Sequence, residues 1–181
     1  MHKYTLGFIK RNNCILMVNR QKSPWKGSWN GVGGKLNENE SPLECIIREI
    51  KEETDIDVSP LEILDKGVLT WNSFDALGNG LHIFLIELPE TYEYLTPKKE
   101  TEGILDWKEI NWICDFENYG VAHNIPYFLP TVLNESDRYH YHCTFEDRIL
   151  KSVTNVTNPE EALFDYETEV VVCHFQASLR V

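Results

Sequence analysis

Glu49, Glu52 and Glu53 stand three and four residues apart, preceded by Arg48 and, eight residues earlier, by Glu40. On a helix turning ~100° per residue, the three glutamates fall within one sector about 100° wide. Leu43, Ile46, Ile47 and Ile50 are expected to form the opposite, buried stripe. Carboxylates so close repel, each like-charge pair costing roughly 0.2–0.5 kcal/mol on an exposed helix, and only Arg48 and Lys51 are near enough to offset this. A cation is therefore expected at that face. Glutamate oxygens are hard ligands suited to Mg²⁺ or Mn²⁺, and Mg²⁺ is commonly held by a few carboxylates together with the oxygens of a phosphate substrate. The plain alternative is a solvated acidic helix face.

The helix itself is well marked. Ser41 reads as its N-cap, Pro42 as the first helical residue and Glu44 as the partner that completes a capping box. Asp55 falls at the C-terminal end, where the left-handed conformation costs most L-residues ~1–2 kcal/mol and Asp or Asn less. Cys45, one turn before Glu49, reads as a small packed residue.

The other elements must hold this helix in place. Residues 4–9 and 14–19 read as strands around an Asn12-Asn13 turn, followed by a Ser23-Pro24 loop and the run Trp29-Asn30-Gly31-Val32-Gly33-Gly34-Lys35. Strands are expected near 61–71 and 81–88, then a loop bounded by Pro89 and Pro97 that delivers Glu102, then a strand over 107–113. Residues 126–133 read as helical despite Pro130. Over 138–146, Tyr139, Tyr141, Cys143 and Phe145 alternate with His140, His142 and Thr144, and the two histidines are expected to face solvent, metal binding by the pair being the lesser alternative without a third ligand. Asn158-Pro159-Glu160-Glu161 repeats helix-start chemistry, and 170–175 reads as a last strand.

Gly34, five residues, Glu40, seven residues, Arg48-Glu49, Ile50, Lys51, Glu52-Glu53, Thr54, Asp55 and Ile56 match the pattern G-x5-E-x7-R-E-U-x-E-E-x-G-U at every position but Asp55. A chance match of this kind has odds on the order of one in a million, so the motif is specific. The chain resembles the Nudix hydrolases of the MutT type, above all the oxidised-purine (8-oxo-dGTP) nucleoside triphosphatases. The glycine-rich run, Glu100-Thr101-Glu102 with Trp107, and the stretches 127–133 and 139–145 are similar to that subfamily, and about residues 3 to 150 are covered.

The resemblance implies an α/β fold, a mixed β-sheet sandwiched between helices (α/β/α). It implies Glu49, Glu52 and Glu53 as metal-site carboxylates, the carbonyl of Gly33 as a further ligand, and Glu102 as an additional ligand or the base. Arg48 would orient the carboxylates. Glu49 or Glu102 would accept a proton from the attacking water. Asn30 is expected to contact the base, with a turn-forming role as its alternative. Of the basic residues near the glycine run, Arg20, which stands where the similar enzymes have a basic residue, and Lys35 are the candidates to attract phosphate, ahead of Lys22 and Lys26, with a solvated surface role as the alternative for each. Where the similar enzymes carry acidic residues before the late helix, this chain has Ala122-His123-Asn124, so base recognition would pass through Asn124 or His123. Phe8, Trp25, Phe74 and Tyr119 are candidates to wall a base pocket, with core packing as the commoner role of such aromatics. The ADP-ribose and diadenosine polyphosphate classes fit less well, because residues 71–74 read Trp-Asn-Ser-Phe. A catalytically silent sensing domain would have lost box glutamates, and none is lost.

Composition sets the frame. The 181 residues, 42% of them hydrophobic, suit one core, read as a domain over 1–150 with a C-terminal extension over 151–181, a short helix plus strand packed on it. A net charge of −12 offers no footprint for a nucleic-acid polymer, while free nucleotides remain open because cations supply positive charge. No apolar run approaches a membrane span and no signal-peptide core stands at the N-terminus, so a cytoplasmic monomer or homodimer is expected. The five widely spaced cysteines favour free thiols.

Overall fold

Alternation of apolar side chains builds a sheet with two dry faces. In β1 (Tyr4–Arg11), Leu6 and Phe8 pack to one side and Ile9 to the other; in β2 (Cys14–Arg20), Ile15 and Met17 oppose Leu16 and Val18. The computed structural model describes residues 2–72, 80–147 and 149–157. Within them follow β3 (Trp29–Asn30), β4 (Ile63–Trp71), β5 (Gly80–Glu87), β6 (Lys98–Lys99), β7 (Gly103–Glu109), β8 (Tyr139–Glu146) and β9 (Ile149–Thr157). Their order is β6-β7-β2-β1-β5-β4-β8-β9, with β3 beside β2. The sheet is mixed: β1 with β5 and β4 with β8 run parallel, and the remaining pairs antiparallel.

Helix α1 (Pro42–Thr54) covers one face through Ile46 and Ile50, and α3 (Ile125–Asn134) covers the other through Phe128, Leu129 and Val132. This is the α/β/α sandwich the resemblance implies. Ile46 and Ile50 are fully buried, each worth roughly 1.5–3 kcal/mol of apolar burial. A Cβ on Gly7 would stand 2.9 Å from Ile46 Cδ1, so α1 lies close against β1 because that strand has no side chain there.

Several elements differ from expectation. The strand expected over 107–113 starts earlier, as β7, and gives way to a helical turn, α2 (Ile110–Ile113), whose Ile113 is buried. Leu43, in the first turn of α1, is 46% exposed, and Cys45 and Thr54 are buried instead. His140 and His142 do not face solvent freely: both are partly buried, and their ring nitrogens lie 2.7 and 2.8 Å from Thr70 Oγ1. The short strands β3 and β6 and the outer strand β9 carry too little periodicity to read in advance, and β9 takes the sheet across position 150 to Thr157. The helix start at 158–161, the strand at 170–175, Phe74 and Cys173 lie outside the described residues. Cys14, Cys45, Cys114 and Cys143 are free thiols. Among the described residues no helix is long and apolar enough to cross a membrane.

Candidate active site

Helix α1 begins and ends as its sequence dictates. The Ser41 hydroxyl accepts from the Glu44 N–H at 3.2 Å while the Ser41 N–H donates to Glu44 Oε2 at 2.9 Å. At the other end Asp55 takes the left-handed conformation, φ 66° and ψ 0°, and its N–H donates to the Lys51 carbonyl. The acidic residues do not lie opposite the apolar stripe, however. Glu53 is seven residues, about two turns, after Ile46 and so shares its meridian; it is carried into the helix–sheet junction while Glu52 stays in solvent.

Arg48 gathers the acids. Its Nε donates to Glu40 Oε1 at 2.7 Å, Nη2 to Glu40 Oε2 at 2.9 Å, and Nη1 to Glu49 Oε1 at 2.8 Å and Glu52 Oε2 at 3.1 Å. The bidentate bond to Glu40 is the strong form of this pairing. It holds the Glu40 carboxyl down at about 2, and the same bond raises Arg48. Glu49 moves the other way: burial raises its pKa, and Arg48 offsets only part of that.

Glu53 is also raised, and it is the more deeply placed acid of the cleft. Burial, then the neighbouring charge of Glu49, pushes its carboxyl up to about 7, against a backbone hydrogen bond from Gly33. Its Oε2 is buried with no hydrogen-bond partner, which for an oxygen this polar is costly unless a cation or donor meets it.

The glycines explain how the loop reaches these acids. A Cβ on Gly34 would stand 2.4 Å from the Glu49 carboxyl carbon, and one on Gly33, at φ 152°, would stand 2.3 Å from the Thr5 carbonyl oxygen. The carbonyls of Val32 and Gly34 accept from Gly7 and Thr5 on β1, and alternation turns that of Gly33 to the other side. Gly33, Glu49, Glu52, Glu53 and Glu102, with Arg20, line a cleft of about 390 Å³.

Glu102 arrives on a hairpin. The N–H and carbonyl of Glu100 bond those of Gly103 at 2.8 and 3.3 Å, leaving Thr101 and Glu102 at the tip. Glu102 is paired with Lys22 at 2.7 Å, a partner that nothing in the sequence spacing announced. The expected five ligands are thus brought to one cleft but not into one coordination shell. Among the described residues no group of three or more His, Cys, Asp or Glu side chains is spaced to hold an ion in this arrangement. The reason is pairing: Glu49 and Glu52 turn to Arg48, and Glu102 to Lys22.

Beside the cleft, and sharing Arg20, Gly33, Gly34 and Lys35 with it, opens a chamber of about 660 Å³. Asn30 and Asn124 are among its polar residues, and apolar side chains make most of the wall. Asn30 Oδ1 accepts from the Gly31 N–H at 2.9 Å, so its amide NH₂ is the group left to offer. Trp25 is on the wall at φ 66°, its ring edge-on to His123. Two expected wall residues are placed elsewhere: Phe8 is fully buried in the core beneath α3, and Tyr119 is 78% exposed on a loop. Trp71, Leu81 and Phe145 take their place; the alternation within their strands was a signal, but nothing local told which face would be hollow.

The NUDIX domain profile matches residues 1–131. The 8-oxo-dGTP diphosphatase of Proteus vulgaris is 41% identical over 56 residues, 31% of this chain and 50% of that protein. The ADP-ribose pyrophosphatase of Methanocaldococcus jannaschii is 42% identical over 48 residues, 26% of this chain and 28% of that protein. The chain therefore spans half or less of the length of these two relatives. A MutT protein from Bacillus halodurans superimposes with a TM-score of 0.65 at 23% identity, covering 86% of this chain and 97% of that one. With the box, the sandwich and the domain match in agreement, the chain belongs to the Nudix family.

Proposed function

We propose that the protein is a Mg²⁺-dependent hydrolase that cleaves nucleoside triphosphates to a monophosphate and pyrophosphate in the cytoplasm, with oxidised purine deoxynucleotides such as 8-oxo-dGTP as leading substrates. The observation that carries this reading is the buried, unpartnered Oε2 of Glu53 at an acidic cleft continuous with an amide-bearing apolar chamber. An anhydride fits the first and a base the second. The similarity to an 8-oxo-dGTP diphosphatase supports the base class. The reading takes residues 151–181 as an extension of the same domain, its start being part of β9.

The donor set suits a hard divalent cation: carboxylate oxygens and a carbonyl, one of them buried without a partner. Glu49, Glu52, Glu53, Glu102 and the Gly33 carbonyl would hold it. Mg²⁺, with Mn²⁺ as substitute, would neutralise phosphate oxygens and polarise a water when bound. The chain does the rest. Arg48 orients Glu49 and Glu52 without touching substrate, and Arg20 and Lys35, on the wall common to both cavities, draw the phosphates. Water adds to phosphorus, the anhydride P–O bond breaks, and one proton passes to a carboxylate. Glu49 is ion-paired with Arg48 and Glu102 with Lys22, but burial raises Glu49 in spite of its partner, which makes it the better acceptor. Asn30 and Asn124 read the base edge.

A second reading, a broader nucleoside diphosphate hydrolase that also takes ADP-ribose, is favoured by the similarity to an ADP-ribose pyrophosphatase and by the size of the chamber. The purified protein with Mg²⁺, offered unmodified and oxidised dNTPs, ADP-ribose and dinucleotides, decides. Preference for 8-oxo-dGTP supports the first reading, and preference for ADP-ribose the second. Hydrolysis of none overturns both.

A further inference from the structure

We infer that Asp55, the residue that stands where the box has glycine, is a positioning residue that clips the Glu102 hairpin to the end of α1 through Lys98. The inference rests on the proposed role of Glu102 in the cleft.

The hairpin is held on its inner side, where the Gln21 N–H donates to the Glu102 carbonyl at 2.9 Å and Lys22 pairs with the Glu102 carboxylate, and it is the outer side that needs an anchor. Its outer arm, β6, has two residues, paired as Lys98 with Leu105 and Lys99 with Ile104 at the edge of the sheet. So short an arm holds its partner weakly. Yet its tip, Thr101-Glu102, lines the acidic cleft, and a carboxylate displaced by an ångström there loses much of its use.

Lys98 supplies the anchor. Its Nζ lies 2.8 Å from Asp55 Oδ2 and 2.8 Å from Glu100 Oε1, one cation shared between the helix end and the hairpin turn. It also sits 5.6 Å from the centre of the Tyr94 ring. Tyr94 reaches the same place, its hydroxyl donating to the Thr54 carbonyl at 2.7 Å. The segment leading to Glu102 is therefore fastened to adjacent residues, Thr54 and Asp55, by side chains four positions apart. The mutual pairing lowers the pKa of Asp55 and raises that of Lys98. At φ 66° glycine would be at ease and Asp is not. A glycine, however, has no carboxylate to give Lys98.

Asp55→Gly separates the two roles, because it restores the box residue and relieves the backbone while cutting the clip. The full chain, Asp55→Gly, Lys98→Met and Lys98→Arg are compared by steady-state hydrolysis of a nucleoside triphosphate with Mg²⁺ and by amide hydrogen exchange over residues 99–103. Asp55→Gly and Lys98→Met are expected to lower kcat roughly fivefold with KM within about twofold, since an exposed pair that moves a reactive group is worth little more. Exchange at 99–103 quickens in both, the melting temperature of Asp55→Gly does not fall, and Lys98→Arg stays near the parent. Asp55→Gly with unchanged kcat and exchange overturns the inference. If the parent hydrolyses no nucleotide, the proposed function falls, and faster exchange in Asp55→Gly still upholds the clip while unchanged exchange refutes it.

Discussion

Gly34 and Glu49 occupy one another's space: a Cβ on the glycine would stand 2.4 Å from the carboxyl carbon and 2.4 Å from Oε1 of the acid. The loop that opens the box and the helix that carries its acids are fitted at this contact. The side chain of Glu49 is also held by Arg48 at 2.8 Å, so it has little room to yield.

Gly34→Ala should therefore push the Glu49 carboxylate out of the cleft or lift the loop off β1, where the Gly34 carbonyl accepts from the Thr5 N–H. We expect kcat to fall at least about tenfold, which needs only ~1.4 kcal/mol of lost transition-state stabilisation. Circular dichroism of the variant should match the parent. Unaltered kcat would show that Glu49 tolerates a different position.

Glu53→Gln should lower kcat by orders of magnitude and leave the fold intact. Burial already opposes ionisation of this side chain, whose Oε2 has no partner, so a neutral isostere removes a cost rather than a contact. Assayed with a chelator at neutral pH, its melting temperature should equal or exceed that of the parent. Equal turnover would remove Glu53 from the proposed cation site.

What was readable in advance divides along physical lines. The capping box at Ser41, the left-handed Asp55 and the strand alternation are local, set by residues within a turn of one another, and the structure reproduces them. The placement of Glu53 is local too, since helical geometry alone puts it above Ile46 and not opposite, so the three acids do not form one outward face. Lys22 beside Glu102 and the four atoms Arg48 bonds across Glu40, Glu49 and Glu52 depend on contacts 80 residues apart in one case and on rotamers in the other. The chamber is the least legible part. Its walls come from β1, β2, β3, β4, β5, β8 and α3 and from the loops on either side of β3, and a hollow left between well-packed elements has no signature in any one of them.

Asn30→Ala tests the chamber. With Oδ1 committed to the Gly31 N–H, the amide NH₂ is the donor a base would meet, and removing it leaves a base acceptor unpaired. A loss of about 1–1.5 kcal/mol is the scale for one such bond, so KM for a purine triphosphate should rise roughly tenfold with kcat little changed. Inorganic triphosphate, which has no base, should be unaffected. A parallel loss on both would mean that Asn30 shapes the loop and does not read the base.

The Arg48–Glu40 pair carries a prediction in pH. Glu40 titrates at about 2 in the fold against an ordinary 4.5, chiefly through its hydrogen bonds from Arg48 and then from the Asn37 N–H. Its folded pKa is depressed, so the fold prefers the ionised form. That contribution is fully present above pH 4.5 and is lost as pH falls through about 2. Glu40→Gln lacks it at every pH. Denaturant unfolding of parent and variant should thus show their largest difference above pH 5, narrowing steadily toward pH 2, where the protonated parent no longer gains from Arg48. Because Arg48 also holds Glu49, the variant should lose turnover at neutral pH as well, by less than Glu53→Gln does, since the remaining bonds to Glu49 and Glu52 still direct the guanidinium. A stability difference that does not change with pH would mean that the pair is not formed in solution.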